Sequence, residues 1–301
     1  MTDLKEKAVH RFAQQAMGTA FEGLVAGCEI RYARQAVQAA FAEVERLESL
    51  FSRFNASSEV SQINRLKPGE SMRIGIETFE CLTLAEKMRQ ETAGAFDINF
   101  RSLLKSRRRA EEKGPGMILS PTNGFTLALE PAPSENGQAC LDLDLGGIGK
   151  GYALDRAVEI LACDWDVDRF LLHSGTSTAF AVGDAPDIKP DEEGWPVGAG
   201  TALGFAGPSM RLFLKNRALS GSGTEVKGHH IVDPRTGLPA DRHLAAWVSH
   251  PRAAAADALS TAFMVMSLEE IERYCNGHPE VWALIISNTR ARCVFNKEIF
   301  V

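Results

Sequence analysis

Apolar residues recur at steps of three and four along residues 33–54, where Val37, Ala40, Phe41, Val44, Leu47, Leu50, Phe51 and Phe54 form one wide stripe. That spacing belongs to a helix with one buried face, so the stripe reads as core. A polar turn at Ser57-Ser58-Glu59 precedes a short helix over 60–66, which Pro68-Gly69 ends, and a further helical segment spans 76–91. Residues 18–32 mix apolar and polar positions around Gly18, Gly23 and Gly27, a strand or hairpin pattern. Strand-like pieces alternate with turns over 125–145, and LDLDLGGIGKGYALDRAVEILA then runs from a strand through a glycine-rich turn into a helix. A short strand is predicted at 170–173. The last third predicts a strand at 245–249, helices at 252–266 and 268–275, and strands at 281–287 and 292–295. Three segments read as non-core: a polar leader at 1–16, a charge run at 105–117 and an exposed loop at 183–200. Strands and helices interleave without a strict βαβ rhythm, which predicts an α+β chain of two packed layered α/β halves.

Composition narrows the partners. The chain has 301 residues, about two domains' worth, with 45% apolar and 24% charged residues, an ordinary globular balance. Its 33 Lys and Arg against 39 Asp and Glu leave a net charge of −6, a sign that repels nucleic acid and anionic lipid. A small anion can still be held locally by backbone amides, one lysine or a metal. Six cysteines are scattered without CxxC spacing and read as reduced core thiols. No run approaches the ~18 apolar residues that cross a bilayer, so no membrane insertion is expected. The charged first sixteen residues do not look like a signal peptide, and the expected location is cytoplasmic.

Three constellations could carry chemistry. In Asp144-Leu-Gly-Gly-Ile-Gly-Lys150-Gly, Gly146, Gly147 and Gly149 lead to a helix entrance, where backbone can approach a ligand and amides can face an anion. It matches neither GxGxxG with a downstream acid nor a P-loop, and the glycines could merely tighten a corner. Asp257 and Thr261 stand four apart on one helix face, two hard oxygen donors suited to magnesium or calcium. The alternative is a threonine bonding back into its own helix beside a solvated aspartate. His229-His230-Ile-Val-Asp233-Pro-Arg235-Thr-Gly237 specifies a rigid turn knitted by Asp233, Arg235 and Thr236, with a histidine pair that could touch a ligand or be structural.

Together with MGTAF (17–21), FSRFNASSEVSQIN (51–64), TAGAFDINF (92–100), SGTSTAFAVG (174–183), ALSGSG (218–223) and AAAADALSTAFMVM (253–266), these segments closely resemble the ApbE family of FAD:protein FMN transferases. The resemblance implies an ApbE-like fold in which residues 1–301 form a single catalytic unit with the active-site cleft between its halves. It implies a magnesium-dependent enzyme that moves FMN from FAD to a Thr or Ser hydroxyl of an acceptor protein and releases AMP. Carried over by position, Met17, Phe54, Ala95, Phe96, Asp97, Asp144, Lys150, His230 and Ile231 contact FAD. Gly147, Asp257 and Thr261 hold the metal, and Asp257 and His230 are the candidate catalytic groups. Two alternatives stand beside this: the same site with water as acceptor, an FAD pyrophosphatase giving FMN and AMP, and a non-catalytic FAD-binding homologue, suggested by departures at Ser174-Gly175-Thr176 and Leu219-Ser220-Gly221-Ser222, where many members carry an acid and an aromatic.

Overall fold

The computed structural model describes residues 8–102, 116–122, 124–131, 141–189, 191–199, 210–224 and 231–297. Its α-helices are α1 (Ile30–Phe51), α2 (Glu59–Ile63), α3 (Ile76–Glu91), α4 (Gly149–Glu159), α5 (Ala253–Phe263) and α6 (Leu268–Gly277), and a π-helical turn (Ile160–Asp164) continues α4. The strands, in chain order, begin with β1 (Val9–Ala16), β2 (Thr19–Ala26), β3 (Ser71–Arg73), β4 (Met117–Ser120) and β5 (Thr126–Leu129). They continue with β6 (Phe170–Ser174), β7 (Thr178–Val182), β8 (Trp195–Ala199), β9 (Met210–Leu214) and β10 (Arg217–Gly223), then β11 (His243–His250), β12 (Trp282–Ser287) and β13 (Arg292–Phe295).

One antiparallel sheet of eight strands, ordered β1-β2-β6-β7-β10-β11-β12-β13, carries the molecule. Successive side chains on a strand point to opposite faces, and both faces here are covered. Phe21, Val25, Phe170, Leu172, Val248 and Ile285 join the helices in the larger core. Their neighbours Ala26, Leu171, Trp282, Leu284 and Ile286 pack with Trp195, Ala199, Leu212 and Leu214 of the β8–β9 ribbon in a smaller one. The α+β class is therefore built as layers on the two sides of a shared sheet, with the third sheet, β3-β5-β4, contributing Leu127 and Leu129 to the helical side.

Several sequence expectations shift. The polar leader is a strand from Val9 onward, because its alternating exposed and half-buried positions form an edge strand with water on one side. The expected loop at 183–200 ends in β8, whose Pro196 and Gly198 hide a ladder with β9. Helix α1 runs three residues earlier than its apolar stripe, and Phe54 lies beyond its end, 87% exposed, not in the core. There the Ser52 hydroxyl accepts from the Phe54 and Asn55 N–H groups and turns the chain. The strand expected before the glycine turn does not form a ladder. Residues 141–145 are held by loop contacts: Asn64 brackets Leu143 through both backbone groups, Asn99 takes the Asp142 N–H, and the Asp144 N–H donates to the Ile98 carbonyl. The charge run falls largely outside the described residues, and no described helix is long and apolar enough to cross a membrane.

Candidate functional site

The glycine turn delivers the chain to the N-terminus of α4, where backbone N–H groups lack helical partners. One of them, on Gly151, donates to Asp257 Oδ2 at 3.2 Å. Lys150 folds back so that its ammonium donates to the Gly146 carbonyl at 2.7 Å and stands 3.7 Å from the same carboxylate oxygen. Asp257 is 3% exposed. Its charge is therefore compensated by one lysine and a helix entrance, as a buried carboxylate requires.

Asp257 and Thr261 stand on one face of α5, as their spacing predicted. The Thr261 hydroxyl does donate back to the Asp257 carbonyl at 3.2 Å, so that part of the structural alternative is real. The aspartate is not solvated, however, and both side chains line the same cavity as Gly147. A Cβ placed on Gly147 would meet Thr261 Oγ1 and Phe96 at 3.3 Å, which shows how closely the turn approaches the helix. Among the described residues no three His, Cys, Asp or Glu side chains cluster around a possible metal position. A cation in this corner would take one carboxylate, a hydroxyl and backbone or ligand oxygens, a hard donor set that fits magnesium.

The cavity measures about 680 Å³, within the range of ligand sites. It brings together Met17, Ala95, Phe96, Asp97, Asp144, Gly147, Lys150, Ile231, Asp257 and Thr261. Met17 reaches it from the β1–β2 turn through a left-handed backbone, φ 50°. Asp97 accepts the Asn99 N–H at 2.7 Å, and burial raises its pKa above the usual carboxylate range. Asp144 is held by Arg53 at 3.3 Å and by the Gly146 N–H at 3.0 Å. Ile231 is fixed by the loop behind it: Arg235 binds Asp233 at 3.0 Å, Glu270 at 2.7 Å and the Val265 carbonyl at 3.1 Å. Phe54 is not among the cavity residues; the Arg53 guanidinium lies over its ring, 5.1 Å from the centroid. His230 lies outside the described residues.

Sequence reasoning missed two features. Trp247, opposite Gly221 in the β10–β11 ladder, lines the cavity, and its indole comes within 2.8 Å of where a Gly221 Cβ would sit. Only the strand register could have paired a lone tryptophan with that glycine. Behind Asp257 runs a hydroxyl chain: Ser222 to Ser260 at 2.9 Å, Ser260 to Ser220 at 3.3 Å, Ser220 to Thr178 at 2.9 Å. The alternating serines of SGS in β10 put Ser220 and Ser222 on the α5 side, with Gly221 turned towards Trp247.

Comparison with known proteins assigns the chain to a family. The profile described as the ApbE family matches residues 17–285. A protein of Treponema pallidum named FAD:protein FMN transferase is 31% identical over 163 residues, which span 50% of this chain and 44% of that relative. One of the same name from Buchnera aphidicola is 21% identical over 245 residues, 74% of this chain and 70% of the relative. The crystal structure of an ApbE protein from Thermotoga maritima superimposes with a TM-score of 0.77 at 25% identity, covering 97% of this chain and 99% of its own. The flavin transferase ApbE of Vibrio cholerae shares the fold, with a TM-score of 0.78 at 18% identity over 98% and 100% of the two chains.

Proposed function

Because the chain belongs to the ApbE family, we propose that it is an FAD:protein FMN transferase that uses magnesium, modifies a Thr or Ser hydroxyl of an acceptor protein and releases AMP. The observation that carries this reading is the convergence of Gly147, Lys150, Asp257 and Thr261 on one cavity at the entrance of α4. Residues from Met17 to Thr261 meet there, which supports one catalytic unit.

The substrate's pyrophosphate is dianionic and repels an incoming oxygen. Asp257, Thr261 and the Gly147 backbone are the groups that would hold a divalent cation, which when bound neutralises that charge and polarises the phosphoryl oxygens. Lys150 adds a fixed positive charge, and the α4 entrance a favourable dipole. These local sources let a chain of net charge −6 bind an anion. The acceptor oxygen forms a bond to the flavin-side phosphorus while the bridging P–O bond breaks and AMP leaves with the bridging oxygen. Its proton passes to a base, for which Asp257 and His230 are the candidates.

Incubating the purified protein with FAD, magnesium and a Thr- or Ser-containing acceptor peptide tests the reading. A gain of one FMN mass on the peptide, with AMP in equal amount, is expected. FMN and AMP formed without modified peptide would make water the acceptor; FAD bound but intact would leave a carrier.

A further inference from the structure

Two carboxylates cross between α4 and α5. Asp257 of α5 accepts the Gly151 N–H at the start of α4. One turn further along α4, Asp155 accepts the N–H groups of Ala253 and Ala254, the first two residues of α5, at 2.6 and 3.0 Å. Gly151 and Asp155 are four apart, as are Ala253 and Asp257, so each helix presents a donor and a carboxylate on the face it turns to the other. The close approach needs Gly151, since a Cβ there would lie 2.4 Å from the Ala253 carbonyl oxygen. No side chain of α5's own N-cap residue, Arg252, caps that helix; its guanidinium stands 3.8 Å from Asp155. Asp155 thus supplies the cap from a neighbouring helix.

The groups assigned to the cation ride on different elements: Gly147 on the turn leading into α4, Asp257 and Thr261 on α5. Their spacing therefore depends on how α4 and α5 are clasped. We propose that Asp155 is a positioning residue for the cation site, fixing the first turn of α5 so that Asp257 faces the glycine turn. The inference rests on the cation reading given above. Groups that orient ligands in this way are worth about 10–100-fold in metal affinity.

The test is FAD binding, followed by flavin fluorescence, as magnesium is titrated into the full chain and then removed with chelator. The wild-type protein and the variants Asp155→Ala and Asp155→Asn are compared, with Ile285→Ala, in the core of β12, as a control for lost stability. Asp155→Ala is expected to raise the magnesium needed for half-saturation about tenfold or more, while FAD affinity in chelator stays unchanged. Asp155→Asn keeps one acceptor oxygen and falls between. Unchanged half-saturation in both variants overturns the proposal, as does an equal shift in Ile285→Ala or a parallel loss of FAD affinity in chelator. Wild-type binding that ignores magnesium and chelator alike would instead remove the cation reading beneath it.

Discussion

Asp257 combines three partners that no other carboxylate of the cavity has: a helix-entrance N–H, the Lys150 ammonium and a hydroxyl chain behind it. Replacing it with alanine is expected to lower FMN transfer by about a hundredfold or more, the scale of removing one group that stabilises transition-state charge. The loss should appear in initial rates at saturating FAD, measured at a temperature where the variant is folded. Trp247 makes a separate prediction. Its indole stands over Gly221 on a wall of the cavity, where a planar ring could stack. Trp247→Ala is expected to weaken FAD binding about tenfold while Trp247→Phe keeps most of it, because aromatic pairs contribute about 0.5–1.5 kcal/mol beyond buried area. A fluorescence titration of the two variants checks this.

At the scale of elements, the α4–α5 contact concentrates both stability and chemistry. Gly151→Ala forces a methyl into the backbone of α5 and is expected to cost about 1–3 kcal/mol, read from denaturant midpoints. The start of α5 also titrates. Burial raises the Asp155 pKa to about 6, despite the two N–H groups it accepts, and burial lowers that of His250 to about 4, where its Nδ1 accepts the Arg252 N–H at 2.8 Å. As pH falls below ~6.5, the unfolded chain protonates His250 and the native chain does not, so stability is lost down to about pH 4. Asp155 works in the opposite sense: the native chain takes up its proton near pH 6 and the unfolded chain only near ~3.9, so stability is gained over the same fall. His250→Asn is therefore expected to flatten the acid side of the stability profile and Asp155→Asn to steepen it. Thermal unfolding at pH 7, 5.5 and 4.5 separates the two.

For the whole molecule, what could be read in advance follows from where each signal is generated. The one-sided helices α1 and α6 declare themselves locally, and α3, α5 and the buried strand β12 also lie close to where their apolar residues placed them, as does the half-exposed strand β13. The strands β1 and β8 do not: β1 alternates between water and a half-buried face, and β8 carries Pro196 and Gly198, so neither shows the apolar run of a central strand. Phe54 continued the three-four spacing of α1 past its last turn, and only the Ser52 side chain, bonding forward to two amides, shows why the helix stops before it. The site was legible as a set of motifs because Asp257 and Thr261 share one helix and Gly147 and Lys150 one turn. That Gly151 and Asp155 clasp α5, or that Trp247 faces Gly221, depends on contacts between residues about a hundred and about 26 positions apart, which no local pattern encodes. We propose that this cavity transfers FMN to protein through Asp257. Intact-mass measurement of an acceptor peptide after incubation with FAD and magnesium tests it most directly. An added FMN mass on a Thr or Ser with the wild-type protein and none with Asp257→Ala is the predicted result; no added mass with the wild-type protein on any acceptor, while FAD remains bound, would contradict it.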